Sequence, residues 1–287
     1  MLKIGAHVSA AGTLATSLER ATDIEAECTQ IFLSPPQMWI KPKHADTAIQ
    51  DYIRATAKSG ISPNFVHSVY LVNLAAEDPV HLQKSIDWLT FALNLASQLK
   101  IQGVIVHTGS HKGKGFDAVF DRIVKSISTI LASVPDDVQL ILENCAGSGG
   151  AIGSSFVDLG KILKAAGDSR LKVCLDTQHA FASGYNLGTK DGIEATFQEF
   201  EQEIGLENLV CLHINDSKTG LESKVDRHEN LGVGLIGLDG ITRVVRFLES
   251  HTKTDSLPLI LEVPGFEDKG PDLENVRILK GLRSVNK

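Results

Sequence analysis

The sequence has no apolar run of 18 or more residues, so it predicts no membrane-spanning helix. Its four cysteines lie far apart and form no CxxC pair, and reduced, buried thiols are therefore expected. The N-terminus shows no basic region followed by a long apolar stretch, so a signal peptide is not expected. Together these absences predict a soluble protein of the reducing cytoplasm that does not associate with membranes.

An excess of positive charge is also missing. The 28 lysines and arginines are outnumbered by 35 aspartates and glutamates, which gives a net charge of −7. This balance argues against a protein that coats nucleic acid through its overall charge, but it leaves room for a local basic face. No G-x-G-x-x-G motif follows the first predicted strand, which weakens a dinucleotide-binding interpretation.

The chain of 287 residues contains 43% hydrophobic and 22% charged residues, which is close to the average of globular proteins. No proline-rich linker or low-complexity tract divides it, so residues 1–287 are expected to form one domain. Gly147–Gly153 is the most flexible stretch and is expected to be a short loop. The segment from Asn215 to Gly237 is the longest polar loop, and long loops in compact domains are usually functional.

Short apolar runs alternate eight times with longer segments of helical periodicity, such as Val80–Leu99 and Asp117–Leu131. Apolar strands separated by helices indicate a parallel sheet that is covered on both faces. Eight such units in a chain of this length favour a single closed (β/α)8 TIM barrel over an open sheet. The predicted strands are Leu2–His7, Thr29–Leu33, Ser62–His67, Val104–His107, Val138–Glu143, Leu171–Asp176, Leu209–Ile214 and Leu259–Val263.

Potential metal ligands lie at or near the ends of six consecutive predicted strands. In a barrel, these C-terminal strand ends converge on one mouth, so the six side chains should point to a common centre. They are His67, His107, Glu143, Asp176, His213 and Glu262. Three further candidates, His179, Asp226 and His228, follow in the adjacent loops.

These nine residues supply five imidazoles and four carboxylates without a thiolate, a set that suits zinc, manganese or iron. One catalytic zinc needs only three protein ligands, so nine predict two or three metals, and such sites suit phosphoester hydrolysis. A histidine at a strand end is more often a hydrogen-bonded structural residue than a ligand. That structural interpretation is kept for His7, His44, His81, His111 and His251.

Several ordered motifs resemble the endonuclease IV family of apurinic/apyrimidinic endonucleases along essentially the whole chain. The most specific are DTQHAFASGY at 176–185, HINDSK at 213–218 and DRHENLGVGLIG at 226–237. GAHVS at 5–9, HSVYLVNL at 67–74 and LENCAG at 142–147 also match. The resemblance implies a TIM barrel that holds three Zn²⁺ ions, with Mn²⁺ or Fe²⁺ as the alternative at one position.

Carried over residue by residue, the resemblance implies three metal positions and a catalytic role for the ligands Glu143 and Glu262. The first position is His67, His107 and Glu143; the second is Glu143, Asp176, His213 and Glu262; the third is His179, Asp226 and His228. The implied reaction is hydrolysis of double-stranded DNA on the 5′ side of an abasic site in base excision repair. It leaves a 3′-hydroxyl and a 5′-deoxyribose phosphate, and 3′-phosphatase or 3′-diesterase activity on blocked ends is also implied.

The resemblance further implies that Tyr70 and Leu71 wedge into the base stack and that the protein is a monomer. Gln37 stands where many family members carry an arginine that also enters the DNA, so this contact departs from the family pattern. Seven basic residues fall on loops assigned to the C-terminal face and predict a phosphate track: Lys41, Lys43, Lys112, Lys114, Lys218, Lys224 and Arg227. A sugar isomerase or epimerase and an inactive lesion-binding module are the alternative functions.

Overall fold

A computed structural model describes residues 2–251 and 257–284, and its centre is a closed barrel of eight parallel strands. The ends of the expected domain 1–287 lie outside the described residues. The barrel strands are β1 (Lys3–His7), β2 (Cys28–Phe32), β3 (Asn64–His67), β4 (Gly103–His107), β5 (Gln139–Glu143), β6 (Leu171–Asp176), β7 (Leu209–His213) and β10 (Pro258–Leu261). Their order around the barrel is β1-β10-β7-β6-β5-β4-β3-β2, and every neighbouring pair is parallel.

The predicted fold class is confirmed, and the predicted strands agree with the structure to within two residues at each end. The third strand starts at Asn64 instead of Ser62. Pro63 precedes this start, and proline has no N–H to donate to a neighbouring strand. The eighth strand of the barrel ends at Leu261, so Glu262 lies just past the strand.

Helices cover the outside of the barrel. They are α1 (Thr16–Asp23), α2 (Asp46–Ser59), α3 (Pro79–Gln98), α4 (Phe120–Leu131), α5 (Phe156–Ala166), α6 (Thr177–Ser183), α7 (Lys190–Glu203), α8 (Gly237–His251) and α9 (Leu273–Leu282). Short 3₁₀ turns occur at Ser148–Gly150, inside the expected flexible loop, and at Leu206–Asn208. Among the helices of the described ranges, none combines the length and the apolar character needed to cross a membrane.

The sequence did not predict α6, and it placed the start of α4 at Asp117, three residues too early. The seven residues of α6 are too few to show helical periodicity. The helix begins because the Asp176 side chain accepts a hydrogen bond from the His179 backbone N–H, and it ends at Gly184 with φ of 118°. This turn brings His179 back over the strand that ends in Asp176.

The polar segment 215–237 contains structure that the sequence did not predict. Two short strands, β8 (Asp216–Ser217) and β9 (His228–Glu229), pair in antiparallel fashion outside the barrel. The Lys218 N–H also donates to the carbonyl of Arg227, which closes the intervening loop. The pair fixes the position of His228 relative to β7, since Asp216 follows the end of that strand by three residues.

The barrel interior contains a compact apolar layer that separates the N-terminal end from the C-terminal mouth. It consists of Cys28, Phe65, Ile105, Ile141, Cys174, Cys211 and Ile260, all of them fully buried. The cysteines are reduced and buried, as predicted. A larger apolar cluster fills the space between the sheet and the surrounding helices. The candidate metal ligands therefore lie at the mouth, on the C-terminal side of this apolar layer.

Candidate metal centre

The mouth of the barrel brings all nine candidate ligands together. His67, His107, Glu143, Asp176 and His213 are the last residues of β3, β4, β5, β6 and β7. Parallel strands place these ends at the same rim of the barrel. His179 is presented by α6, His228 by β9 and Asp226 by the loop before β9. Three groups of donor atoms can be distinguished, and they share residues.

Glu143 lies at the centre of the first group. It is fully buried, and its Oε2 lies 3.1 Å from His67 Nε2 and 3.5 Å from His107 Nε2. Its other oxygen, Oε1, lies 2.9 Å from His213 Nδ1 and 3.3 Å from His179 Nδ1. One carboxylate therefore faces imidazoles on two sides, as a bridging ligand would.

His213 is the central residue of the second group, which also contains Glu143, Asp176 and Glu262. Its Nδ1 lies 3.2 Å from Glu262 Oε2 and 3.8 Å from Asp176 Oδ2. The opposite ring nitrogen, Nε2, is 2.8 Å from Gln30 Oε1. The ring is therefore held with Nδ1 facing the carboxylates.

The third group is nearer to solvent. His179 Nε2 lies 3.3 Å from Asp226 Oδ2, and His228 Nε2 lies 3.5 Å from Asp226 Oδ1. The Asp226 side chain is 57% exposed, whereas the His179 ring is buried. Asp176 Oδ2 also approaches His228 Nε2, at 3.7 Å, so Asp176 adjoins both the second and the third group.

Neighbouring groups orient the candidate ligand side chains through hydrogen bonds, as they commonly do around metal sites. The Nδ1 atom of His67 faces the Ser68 carbonyl at 2.8 Å, and that of His228 faces the Glu262 carbonyl at 3.2 Å. In both cases Nε2 is left to face a carboxylate. Glu262 Oε1 lies 3.0 Å from His7 Nδ1, so His7 acts as a hydrogen-bonded residue beside the cluster.

Three polar residues in this surrounding layer were missed in the sequence. Gln30 donates to Glu262 Oε1 at 2.6 Å, and Asn215 donates to Asp176 Oδ2 at 2.7 Å. Asn144 exchanges two hydrogen bonds with the Asp176 backbone. Asn144 follows Glu143 directly, and Asn215 lies two residues after His213. This proximity to a candidate ligand could have identified the two asparagines, whereas the sequence around Gln30 contains no such indication.

In this cluster, burial and the charges of neighbouring groups shift the pKa values of the side chains in opposite directions. Burial raises the pKa of Glu143, but the charges of His107 and His213 outweigh it and hold that pKa well below its usual range. Burial lowers the pKa of His213, but the charges of Glu262 and Glu143 raise it well above the ordinary value. For Asp226, the hydrogen bond from His179 outweighs burial and lowers the pKa to about 2. Ionised carboxylates therefore dominate the cluster near neutral pH.

The spacing of these atoms fits shared cations. Two ligands that each lie about 2.0–2.1 Å from one tetrahedral zinc are separated by roughly 3.3 Å. Several of the separations given above, between 3.3 and 3.8 Å, are long for hydrogen bonds but suit that geometry. The Nε2 atom of His228 is buried without a hydrogen-bond partner, and a cation would satisfy it. The residues therefore fit a metal centre.

A cavity of about 860 Å³ opens beside the cluster and is lined by His7, His228, Glu262 and Tyr70, among others. The Tyr70 side chain lies at the rim of this cavity and is 60% exposed, and its ring contacts the Phe32 ring edge to face. Partial desolvation beside the cluster, followed by the charges of Glu262 and Glu143, raises the pKa of Tyr70 to about 12. Leu71, by contrast, is half-buried and packs against the apolar core.

The other predicted DNA contacts lie on loops at the same end of the molecule. Gln37 and Arg227 are exposed, in the segments that follow β2 and β7. The predicted lysines lie on the segments after β2, β4 and β7, which also project from the C-terminal rim. Lys114 forms an ion pair with Glu77. The predicted basic residues thus lie at the same end of the barrel as the cluster of carboxylates and imidazoles.

Comparisons with known proteins agree with this arrangement. A family model described as a xylose isomerase-like TIM barrel matches residues 18–282. A protein of Halothermothrix orenii named probable endonuclease 4 is 38% identical over 280 residues, which are 97% of this chain and 99% of that protein. The chain belongs to the endonuclease IV family.

Further relatives support this membership in the endonuclease IV family. A probable endonuclease 4 of Methanosphaerula palustris is 38% identical over 287 residues, which cover 98% of both chains. The crystal structure of endonuclease IV from Thermus thermophilus has a TM-score of 0.84 and 32% identity over 98% of both chains. A D-tagatose 3-epimerase-like protein has a TM-score of 0.74, but at 19% identity this likeness shows the fold alone. The chain is therefore a nuclease, a hydrolase of the endonuclease IV family.

Proposed function

We propose that this protein is a zinc-dependent apurinic/apyrimidinic endonuclease of base excision repair. It hydrolyses the DNA phosphodiester 5′ to an abasic site and leaves a 3′-hydroxyl and a 5′-deoxyribose phosphate. The observation that carries the proposal is the convergence of nine side chains with nitrogen or oxygen donors, one of which is the buried carboxylate of Glu143 at the centre. This set occurs in a chain that belongs to the endonuclease IV family.

Three cations account for the three groups of donors. The first is held by His67, His107 and Glu143; the second by Glu143, Asp176, His213 and Glu262; the third by His179, Asp226 and His228. Imidazole and carboxylate donors without thiolates suit zinc, with manganese or iron as the alternative at one position. When bound, such cations supply Lewis-acid activation of water and positive charge beside the departing 3′-oxygen.

The residues of the cluster position this chemistry. Glu143 offers one oxygen to each of two groups, which keeps their separation short and constant. Glu262 is held from the opposite side by Gln30 and His7, so its second oxygen faces His213. Because cations held by these residues would lower the pKa of a bound water to about 7, the proposal assigns no separate side chain as a general base. Glu143 and Glu262 are therefore proposed as catalytic ligands.

The surroundings of the mouth support a DNA substrate. Tyr70 presents an exposed aromatic ring at the edge of the cavity, where it can stack on an unpaired base or fill a gap in the helix. Leu71, Gln37 and Arg227 are proposed as further contacts on the same rim. Abasic duplex and duplex with blocked 3′ ends are the proposed substrates, and the protein is proposed to act in the cytoplasm as a monomer with a single domain.

The proposal is tested with a labelled duplex that contains one abasic analogue, in buffer without magnesium. We expect incision on the 5′ side, loss of activity after prolonged chelation and recovery with zinc. Metal analysis of the untreated protein should return close to three ions per chain. Absence of incision by the metal-replete protein would overturn the proposal and direct attention to a sugar substrate.

A matched pair of variants tests the ligand assignment. Glu262→Gln should reduce incision by at least about a thousandfold, because it removes a charge and a ligand oxygen from the centre. Glu267→Gln is the control, since Glu267 follows in the same segment but is exposed and paired with Lys269. Full activity of Glu262→Gln with an unchanged metal content would contradict the assignment.

A further inference from the structure

Asp216 is a buried carboxylate outside the three ligand groups. It is fully buried, and it accepts five hydrogen bonds from backbone N–H groups. Its Oδ1 accepts from Ser217, Ile236 and Gly237 at 2.8, 3.0 and 3.2 Å. Its Oδ2 accepts from Gly232 and Gly234 at 3.0 and 3.1 Å. A carboxylate with this many backbone donors is strongly stabilised in its buried position.

The glycines of the segment LGVGLIG (residues 231–237) allow the backbone to approach this carboxylate closely. Gly232 and Gly237 have φ of 81° and 74°, a region that favours glycine, and both N–H groups point at Asp216. At Gly234, a Cβ atom would lie 2.5 Å from Asp216 Oδ1 and 2.6 Å from the Ser217 carbonyl oxygen. The backbone therefore wraps closely around the side chain. Gly237 is also the first residue of α8, so the first amide of the helix is directed at the same charge.

The wrapped segment is continuous with the third ligand group. Asp216 lies three residues after His213, and its backbone pairs with Glu229, the residue after His228. The Leu235 N–H donates to the Ser217 carbonyl at 2.7 Å, which ties the end of the segment to β8. Asp226 therefore lies on the loop that leads into β9, and His228 is the first residue of β9. This strand pairs with the backbone of Asp216, and the segment that follows it donates to the Asp216 side chain.

We propose that Asp216 is the positioning residue for the third metal site, which it assembles by folding segment 216–237 around its carboxylate. The inference rests on the proposed function for the existence of that third cation. It assigns a role to the DRHENLGVGLIG motif beyond its two ligands: the glycine-rich half holds the carboxylate, and the DRH half presents Asp226 and His228. Asp216 itself belongs to none of the three ligand groups.

Asp216→Asn tests the proposal with little change in shape. Whichever way the amide is oriented, its NH₂ group faces at least two backbone N–H donors, and the hydrogen bonds from those donors are lost. We expect the variant to retain two ions per chain and to bind the third about 10–100-fold more weakly. In the chelated protein, amide exchange of Gly232, Gly234, Ile236 and Gly237 should be at least tenfold faster. Asp239→Asn, in the exposed first turn of α8, is the control and should change neither quantity.

A second pair of variants keeps the carboxylate. Gly234→Ala should reproduce both effects through the steric clash with Asp216, whereas Gly220→Ala adds a Cβ with nothing within 4 Å and should be neutral. If Asp216→Asn does not fold, this pair carries the test. An unchanged third ion together with unchanged exchange would overturn the proposal, and so would an equal loss of all three ions. A native protein that binds fewer than three ions would refute the proposed metal set, while the exchange comparison would still test the wrapping.

Discussion

Replacing Tyr70 with alanine should weaken binding to abasic DNA selectively. The ring is 60% exposed at the edge of the cavity beside Glu262, and it is presented on the segment after β3. Stacking of a base on an aromatic side chain contributes about 1–3 kcal/mol, which corresponds to roughly a 5- to 150-fold change in affinity. An undamaged duplex does not open a gap for the ring, so its affinity should change much less.

The structure also limits how much the substitution can disturb the fold. Tyr70 meets Phe32 and His67 edge to face, with centroids 5.5 and 6.0 Å apart. Losing these contacts should lower the free energy of unfolding by about 1 kcal/mol. That loss leaves the native state dominant in a domain of ordinary stability. A change in affinity can therefore be attributed to the ring at the proposed DNA interface.

Fluorescence anisotropy with matched abasic and intact duplexes measures the effect on the metal-loaded protein at one salt concentration. Tyr70→Phe is the control because it keeps the ring; the Tyr70 hydroxyl, with its pKa of about 12, carries no charge that this control would remove. We expect wild-type discrimination for Tyr70→Phe and reduced discrimination for Tyr70→Ala. Equal losses of affinity for both duplexes in Tyr70→Ala would refute the wedge assignment.

Three further predictions follow from the charges and the metal centre. Lys224→Ala should reduce the slope of the logarithm of the DNA-binding constant against the logarithm of the salt concentration by about 0.9. Lys58→Ala should leave this slope unchanged, because Lys58 lies near the C-terminal end of α2, at the opposite face of the barrel. Binding titrations at several salt concentrations distinguish the two variants. Prolonged chelation should lower the melting temperature, since each ion at a thousandfold excess over its Kd contributes about 4 kcal/mol, and zinc should restore it; an unchanged melting temperature would contradict the metal centre. The hydrogen bonds from Arg170 hold the pKa of Asp168 below its usual value, so their stabilisation is present above about pH 4 and is lost as the pH falls through the folded pKa. Asp168→Asn should thus lower the free energy of unfolding by about 1 kcal/mol at neutral pH, and urea unfolding should show that this difference shrinks in acid.

The sequence by itself determined the barrel and the places where its candidate metal ligands would be found. Apolar runs of strand length alternate with helical periods, and this local pattern depends only on neighbouring residues. His67, His107, Glu143, Asp176 and His213 could be placed at one mouth because parallel strands of a barrel end at the same rim. Where the pattern was short or absent, as in the seven residues of α6, prediction failed.

Only the tertiary structure decided which side chains face one another. Gln30 and Glu262 are 232 residues apart and meet because barrel closure places β1 between β2 and β10. The wrapping of 216–237 around Asp216 likewise depends on backbone N–H groups, which no side-chain pattern reveals. Chain closure and hydrogen bonding between distant segments set these contacts, and the periodicity of a sequence carries no information about them.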